Sequence, residues 1–260
     1  MLDRVSGRLV MFGALGIIVG LGLNRAVTKF SGPSPVRGSI VVAVTTALFA
    51  TGRWRIADDG ALFGVLVLSA LVVVLFFVNV ETWLLPYEVT LPGILLGVLC
   101  QLPKPGGSIT TALLGLSTGF LSVRAAEYLG WVSFRREVFG GGIKFMTAMV
   151  GAFLGWEQLL WVFALSIVQG AVLGLVRWMV LPPQKATEAG VRAPFTPAWG
   201  RPGLTLGRRL ALLPYILLVQ PIPDERPPEV DDDVDGVESP QLVPTGPVIA
   251  VAVIEVLLIA

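Results

Sequence analysis

The sequence predicts an all-α integral membrane protein, a polytopic bundle of about eight transmembrane helices. Three observations carry this. Hydrophobic residues fill 54% of the 260 positions and charged ones 14%, for a mean hydropathy of +0.79, far more apolar surface than one soluble core buries. The apolar residues come in uncharged runs approaching the ~20 residues that a spanning helix needs. The charges are segregated by position: eight of the 18 acids lie between Asp224 and Glu238.

Leu9 to Leu23 reads as a retained first membrane helix, because no small-x-small cleavage site follows it before Asn24-Arg25. Arg25 to Gly38, with Pro33 and Pro35, reads as a basic loop. Ile40 to Thr51 is short for a span and must borrow its flanks. Gly60 to Val80 is the strongest span, with no charge between Asp59 and Glu81. Pro86 and Pro92 disfavour helix before them and place the start of the return span, Val89 to Leu102, near Leu91. Pro103 to Gly107 is a turn. Ser108 to Val123 is a span rich in small residues that let membrane helices approach. Arg124 to Arg136, alternating charged and aromatic residues, extends it along the surface. Ile143 to Trp156 and Leu159 to Val180 make two more spans, separated by Glu157-Gln158, and Gly246 to Ala260 makes the last.

The chain thus divides into an N-terminal span and basic loop (1–38), a membrane core (39–182), a proline-rich and acidic linker (183–243) and a C-terminal span (244–260). The linker holds one apolar island, Leu210 to Val219, and an acidic run read as solvated and disordered. That run lacks the glycine and glutamate positions of a calcium loop, so no metal is expected. One cysteine, Cys100, and no histidine exclude internal disulfides, zinc sites and Cys/His or Ser-His-Asp nucleophiles. Nothing points to nucleic acid; membrane lipid is the expected surrounding. Trp83, Trp131, Trp156, Trp161 and Trp178 read as interface anchors, and Glu157 and Glu255 as outer-boundary charges. Basic residues divide fourteen to five in favour of the side holding both polar stretches described next, which is therefore the cytoplasmic side.

Those stretches are Asn79 to Leu99 (NVETWLLPYEVTLPGILLGVL) and Arg135 to Trp156 (RREVFGGGIKFMTAMVGAFLGW). Polar groups at such depth are costly and are the default place to look for function. They are expected to face each other. Gly140, Gly141 and Gly142 suit close approach of a backbone, either an extended peptide or a neighbouring helix.

In register, VNVETWLLPYEVTLPGILLGVL resembles the prepilin-peptidase stretch IDLETxLLPDxLTLPGLLLGLL, and REVFGGGIKFMTAMVGAFLGW resembles REGMGGGDVKLMAxxGAxLGW. The ending VPTGPVIAVA is similar to IPFGPFLALG. The resemblance is to the prepilin peptidases, or type IV leader peptidases, which are GxGD-type membrane aspartic proteases of the bacterial cytoplasmic membrane. It implies cleavage of the basic leader of a prepilin or pseudopilin after a glycine, by two aspartates at the cytoplasmic face. It also brings methylation of the new N-terminus with S-adenosylmethionine, the one cofactor expected, and by resemblance alone.

The sequence departs from the pattern at the reactive positions. Asn79 stands where the first family Asp is, and GGGIK replaces GGGDVK, so the second is deleted after Gly142 or replaced by it. Tyr87 replaces an Asp after Pro86, Val42 a family Glu, and the four-cysteine zinc loop is absent. Catalytic degeneracy is the expectation. One alternative is an active peptidase using displaced acids, Glu81 with Glu137 or Glu88. However, Glu81 lies two residues past Asn79, about 200° round the helix. Lys144 matches a family lysine and reads as an anchor, or as a partner of Glu81 or of substrate. A third reading, a small transporter or channel, lacks paired broken spans and a charged pathway.

Overall fold

The computed structural model describes residues 2–82, 84–102, 108–134, 141–180 and 245–259, and these form eight α-helices. They are α1 (Leu2–Ser31), α2 (Pro35–Arg55), α3 (Asp59–Thr82), α4 (Tyr87–Cys100), α5 (Ile109–Phe134), α6 (Ile143–Leu154), α7 (Trp156–Val180) and α8 (Thr245–Ile259). The linker, its apolar island and its acidic run lie outside the described residues, as do Trp83, Glu137 and Gly140. Five helices are long and apolar enough to cross a membrane: Leu9–Ser31, Pro35–Arg55, Asp59–Thr82, Ile109–Gly130 and Trp156–Leu173. The other three expected spans are shorter apolar helices. At 12 residues, α6 is roughly 18 Å long, well under the ~30 Å hydrocarbon thickness.

The basic loop at Arg25 to Gly38 is a correction: only Gly32–Ser34 is non-helical. Leu23, Val27 and Phe30 pack against Val74 and Val78 of α3, and this contact carries α1 through its charged residues. Gly32, at φ +76°, ends α1. Ser34 then caps α2 by accepting from Arg37 N at 3.5 Å, with Pro35 in the first turn. The short span at Ile40 to Thr51 does borrow both flanks.

The return helix also starts earlier than expected, at Tyr87 rather than near Leu91, with Pro92 inside it. Proline so near the N-terminus removes only one intrahelical bond, and Val89 N and Thr90 N still donate to Pro86 O at 3.1 and 3.2 Å. The break between α6 and α7 falls at Gly155, not at Glu157-Gln158, because Gly155 takes φ +82°.

In the core, α3, α6 and α8 meet through Leu68, Val72, Leu75, Met146, Met149, Val150, Ala250 and Val253. Every residue of α6 from Met146 to Leu154 is buried, so this short helix is sheathed by protein. Its approach to α5 is set by missing side chains. A Cβ on Gly115 would overlap the Gly151 carbonyl, and one on Gly119 the Thr147 carbonyl. Thr147 Oγ1 donates to Gly119 O at 3.0 Å and Gln101 Nε2 to Phe153 O at 2.8 Å, so two buried polar side chains stitch α5 and the end of α4 to α6. Glu255 is not a boundary charge, since Gln169, midway along α7, donates to it at 2.6 Å.

Candidate functional site

The last turn of α3 places Asn79 in the protein interior, 5% exposed. Its Nδ2 donates to Leu84 O at 3.4 Å, and its Oδ1 is buried without a partner among the described residues. Thr82 ends the helix and Pro86, at φ −67° and ψ 126°, leads the extended Leu84–Pro86 segment into α4. Leu85 is buried against Gly142, where an added Cβ would come within 2.6 Å of the leucine Cβ. The Tyr87 ring stands edge-on to Phe145, centroids 5.2 Å apart, and a Cβ on Gly141 would sit 3.8 Å from the tyrosine hydroxyl. The two polar stretches therefore face each other, with Asn79 and Gly142 on either side of the Leu84–Leu85 turn. Val42 packs on Gly20 of α1 instead.

The charges sort differently from expectation. Glu81 points away from Asn79, as its place on the helix requires, and its Oε2 meets Arg37 Nη1 at 2.5 Å. Arg37 is 5% exposed and also donates to Thr28 Oγ1 at 3.2 Å and to the Gly32 carbonyl. Lys144 pairs with neither Glu81 nor open solvent: its Nζ lies 3.5 Å from Glu127 Oε2, which also holds Arg124 Nη1 at 3.2 Å. Glu88 is exposed in the first turn of α4.

Arg37 and Glu127 were not singled out by sequence. Glu127 had one local signal, its i,i+3 spacing from Arg124 in an otherwise apolar helix. Position 246 was also missed. Gly246 opens α8 directly over Asn79, and a Cβ there would lie 2.6 Å from Oδ1.

Chemically, the end of the bundle offers an amide, a glycine turn, the ion-paired carboxylates of Glu81 and Glu127, and the exposed Glu88. That arrangement can donate and accept hydrogen bonds to a neutral group. Neither Asn79 nor Gly142 carries a side-chain acid or base that could take a proton from water or return one.

Fold and site together define a polytopic helical membrane protein with Asn79, Gly142 and the Arg37–Glu81 pair gathered at one end of the bundle. The Type IV leader peptidase family matches residues 66–175. A Myxococcus xanthus protein named prepilin leader peptidase/N-methyltransferase is 39% identical over 236 residues, which is 87% of this chain and 70% of that protein. Proteins of the same name from Xanthomonas campestris pv. campestris and Pectobacterium carotovorum subsp. carotovorum are each 28% identical. They cover 66% and 54% of this chain, which spans 59% and 50% of their lengths. The chain belongs to the type IV leader peptidase family. With five apolar helices of spanning length, it is a bacterial inner-membrane protein. No solved structure matches it.

Proposed function

We propose that this chain engages the leader segment of a prepilin or pseudopilin at the cytoplasmic membrane face without cutting it. The observation that carries this reading is the buried amide of Asn79 on the turn it shares with Gly142. Aspartic proteolysis needs one carboxylate to take a proton from water and another to give one to the scissile group, the pair sharing a proton. An amide and a glycine do neither.

The displaced-acid alternative loses its first candidate to Arg37. The Glu81 carboxylate is paired with a buried guanidinium at 2.5 Å and turned away from Asn79. Glu127 is held in the same way by Arg124 and Lys144. Peptide engagement needs none of these groups to titrate. On this reading an extended backbone lies along the Leu84–Tyr87 segment, beside the exposed Gly141.

The curated relatives are also named N-methyltransferases, which implies a methyl donor such as S-adenosylmethionine. The apolar cavity at the far end of the bundle does not fit one. It measures about 180 Å³ and is walled by Ile56, Val65, Leu68, Cys100 and Phe153, with no charged group to meet an adenosyl sulfonium or its carboxylate. No step is drawn through it.

The test uses the full chain in detergent with a peptide made of a basic leader, a glycine and an apolar run. The chain as it stands binds the peptide and releases no product. Asn79→Asp combined with an aspartate inserted after Gly142 restores cleavage. Product from the unaltered chain, abolished by Glu81→Gln, would overturn the reading.

A further inference from the structure

We infer that Asn79 Oδ1 is a peptide-backbone contact, accepting a hydrogen bond from one N–H of an extended peptide, with the first turn of α8 as the opposite wall of the slot. The inference rests on the reading that this chain binds a leader segment, and it names the atom that does so.

The amide is oriented by its neighbours. The Leu84 carbonyl can only accept, so the bond at 3.4 Å fixes Nδ2 on that side and sends Oδ1 the other way, toward α8. There the oxygen is buried and has no donor among the described residues. Buried acceptors are almost always paired, and one that is not calls for a use. Thr82, Leu84 and Pro86 do not meet it: Thr82 Oγ1 bonds to Val78 O and Leu84 N, and Pro86 O takes the first bonds of α4.

The neighbour that does face Oδ1 is a glycine. Any side chain at 246 would place its Cβ 2.6 Å from Oδ1 and 2.8 Å from Cγ, so only glycine lets α8 begin here with the amide in place. Residue 246 lies outside the family match of 66–175. The Thr245 and Gly246 N–H groups of this first turn lack intrahelical acceptors, Pro247 having no N–H, which leaves the wall opposite Asn79 polar.

Access comes from the same end. Leu84 and Tyr87 are 68% and 50% exposed, and Gly141 is exposed next to them. Gly246 covers Oδ1, and the peptide N–H reaches the oxygen as the first turn of α8 draws back, with no side chain at 246 to move. The ligand must be an N–H or O–H donor on a slender chain, since an anion would meet the amide oxygen unfavourably. A peptide backbone meets both conditions.

The experiment compares the leader peptide with a series carrying one N-methylated backbone amide each, bound to the full chain in detergent. For the wild type, one position in the series weakens binding about tenfold, the loss of one hydrogen bond to a buried group. Asn79→Leu, the apolar residue closest in shape, weakens the unmodified peptide by a similar factor, and methylation at that position then costs nothing more. The variant's thermal stability stays close to that of the wild type, because the loss of the Nδ2 bond to Leu84 O at 3.4 Å is offset by removal of an unpaired acceptor. Gly246→Ala, whose methyl would press on Oδ1, gives the same insensitivity and serves should Asn79→Leu fail to fold. Asn79→Leu binding every peptide as the wild type does would overturn this inference alone, as would a methylation penalty that persists in either variant. No binding by the wild type would overturn the functional reading, and this inference with it.

Discussion

Replacing Glu81 tests whether it is a structural charge or a displaced base. Glu81→Gln leaves the Arg37 guanidinium, 5% exposed, with two neutral acceptors, Thr28 Oγ1 and the Gly32 carbonyl. Breaking a buried pair from one side costs ~3–5 kcal/mol. Glu81 is 34% exposed, so water already screens it, and the lower end, about 3 kcal/mol, applies. Arg37→Met keeps much of the stem's packing and frees a carboxylate that can hydrate. It costs about 1 kcal/mol for the pair and about 1 for the lost neutral bonds, roughly 2 in all. The double variant removes the stranded charge and also costs about 2 kcal/mol, below Glu81→Gln alone and about 3 below the sum of the two. Unfolding of the four proteins by SDS titration in mixed micelles measures each term. Additivity within about 0.5 kcal/mol would refute the pairing. A Glu81→Gln protein of unchanged stability that had lost peptide cleavage would make Glu81 a base.

Gly119→Ala drives a methyl into the Thr147 carbonyl and should cost about 3 kcal/mol or more in the same titration. Gly22→Ala, in α1 with nothing within 4 Å, should instead stabilise by about 0.5–1 kcal/mol through helix propensity. Glu127→Gln removes the carboxylate shared by Arg124 and Lys144 and is expected to cost about 3 kcal/mol, whereas Lys144→Met, at the longer and more exposed arm of the cluster, costs about 1. The reverse order would show that Lys144, not Glu127, anchors the group. Gln101→Leu leaves the Phe153 carbonyl without its donor. It should lose about 1–3 kcal/mol and speed hydrogen exchange at the end of α6 without altering peptide binding.

What the sequence made legible follows from how local each signal is. Gly60 to Val80 is an uncharged run and becomes α3 almost residue for residue. The facing of the two polar stretches follows from polar groups that would otherwise meet lipid. The end of α1 was hidden because Arg25, Lys29 and two prolines read as loop, while the contact that makes it helical, Val27 on Val74 and Val78, joins residues nearly fifty apart. The break at Gly155 lies inside an apolar run with no mark except a glycine, and only its positive φ reveals it. The partners of Glu81 and Lys144 come from α2 and α5, and a choice among several cations and acids in an apolar chain needs the crossing of those helices. Gly246 was readable as part of a tail motif, but its seat on Asn79 depends on α8 packing beside α3.

The bundle's cohesion and the family's chemistry rest on different residues here, and this is why one can persist without the other. The closest helix approaches, at Gly115 with Gly151 and at Gly119 with Thr147, lie deeper along α5 and α6 than Gly142 and involve no acid. The cross-helix polar ties, Arg37 to Glu81, Glu127 to Lys144, Gln101 to Phe153 and Gln169 to Glu255, all spare positions 79 and 142. Position 79 bears on packing only through its size and its contact with Gly246. An aspartate there would bring a charge to a buried spot beside the Leu84 carbonyl and Gly246, where burial disfavours ionisation unless a partner shares the proton. An amide of nearly the same shape keeps the wall and removes that cost. It also exchanges a group that moves protons for one that only donates and accepts hydrogen bonds.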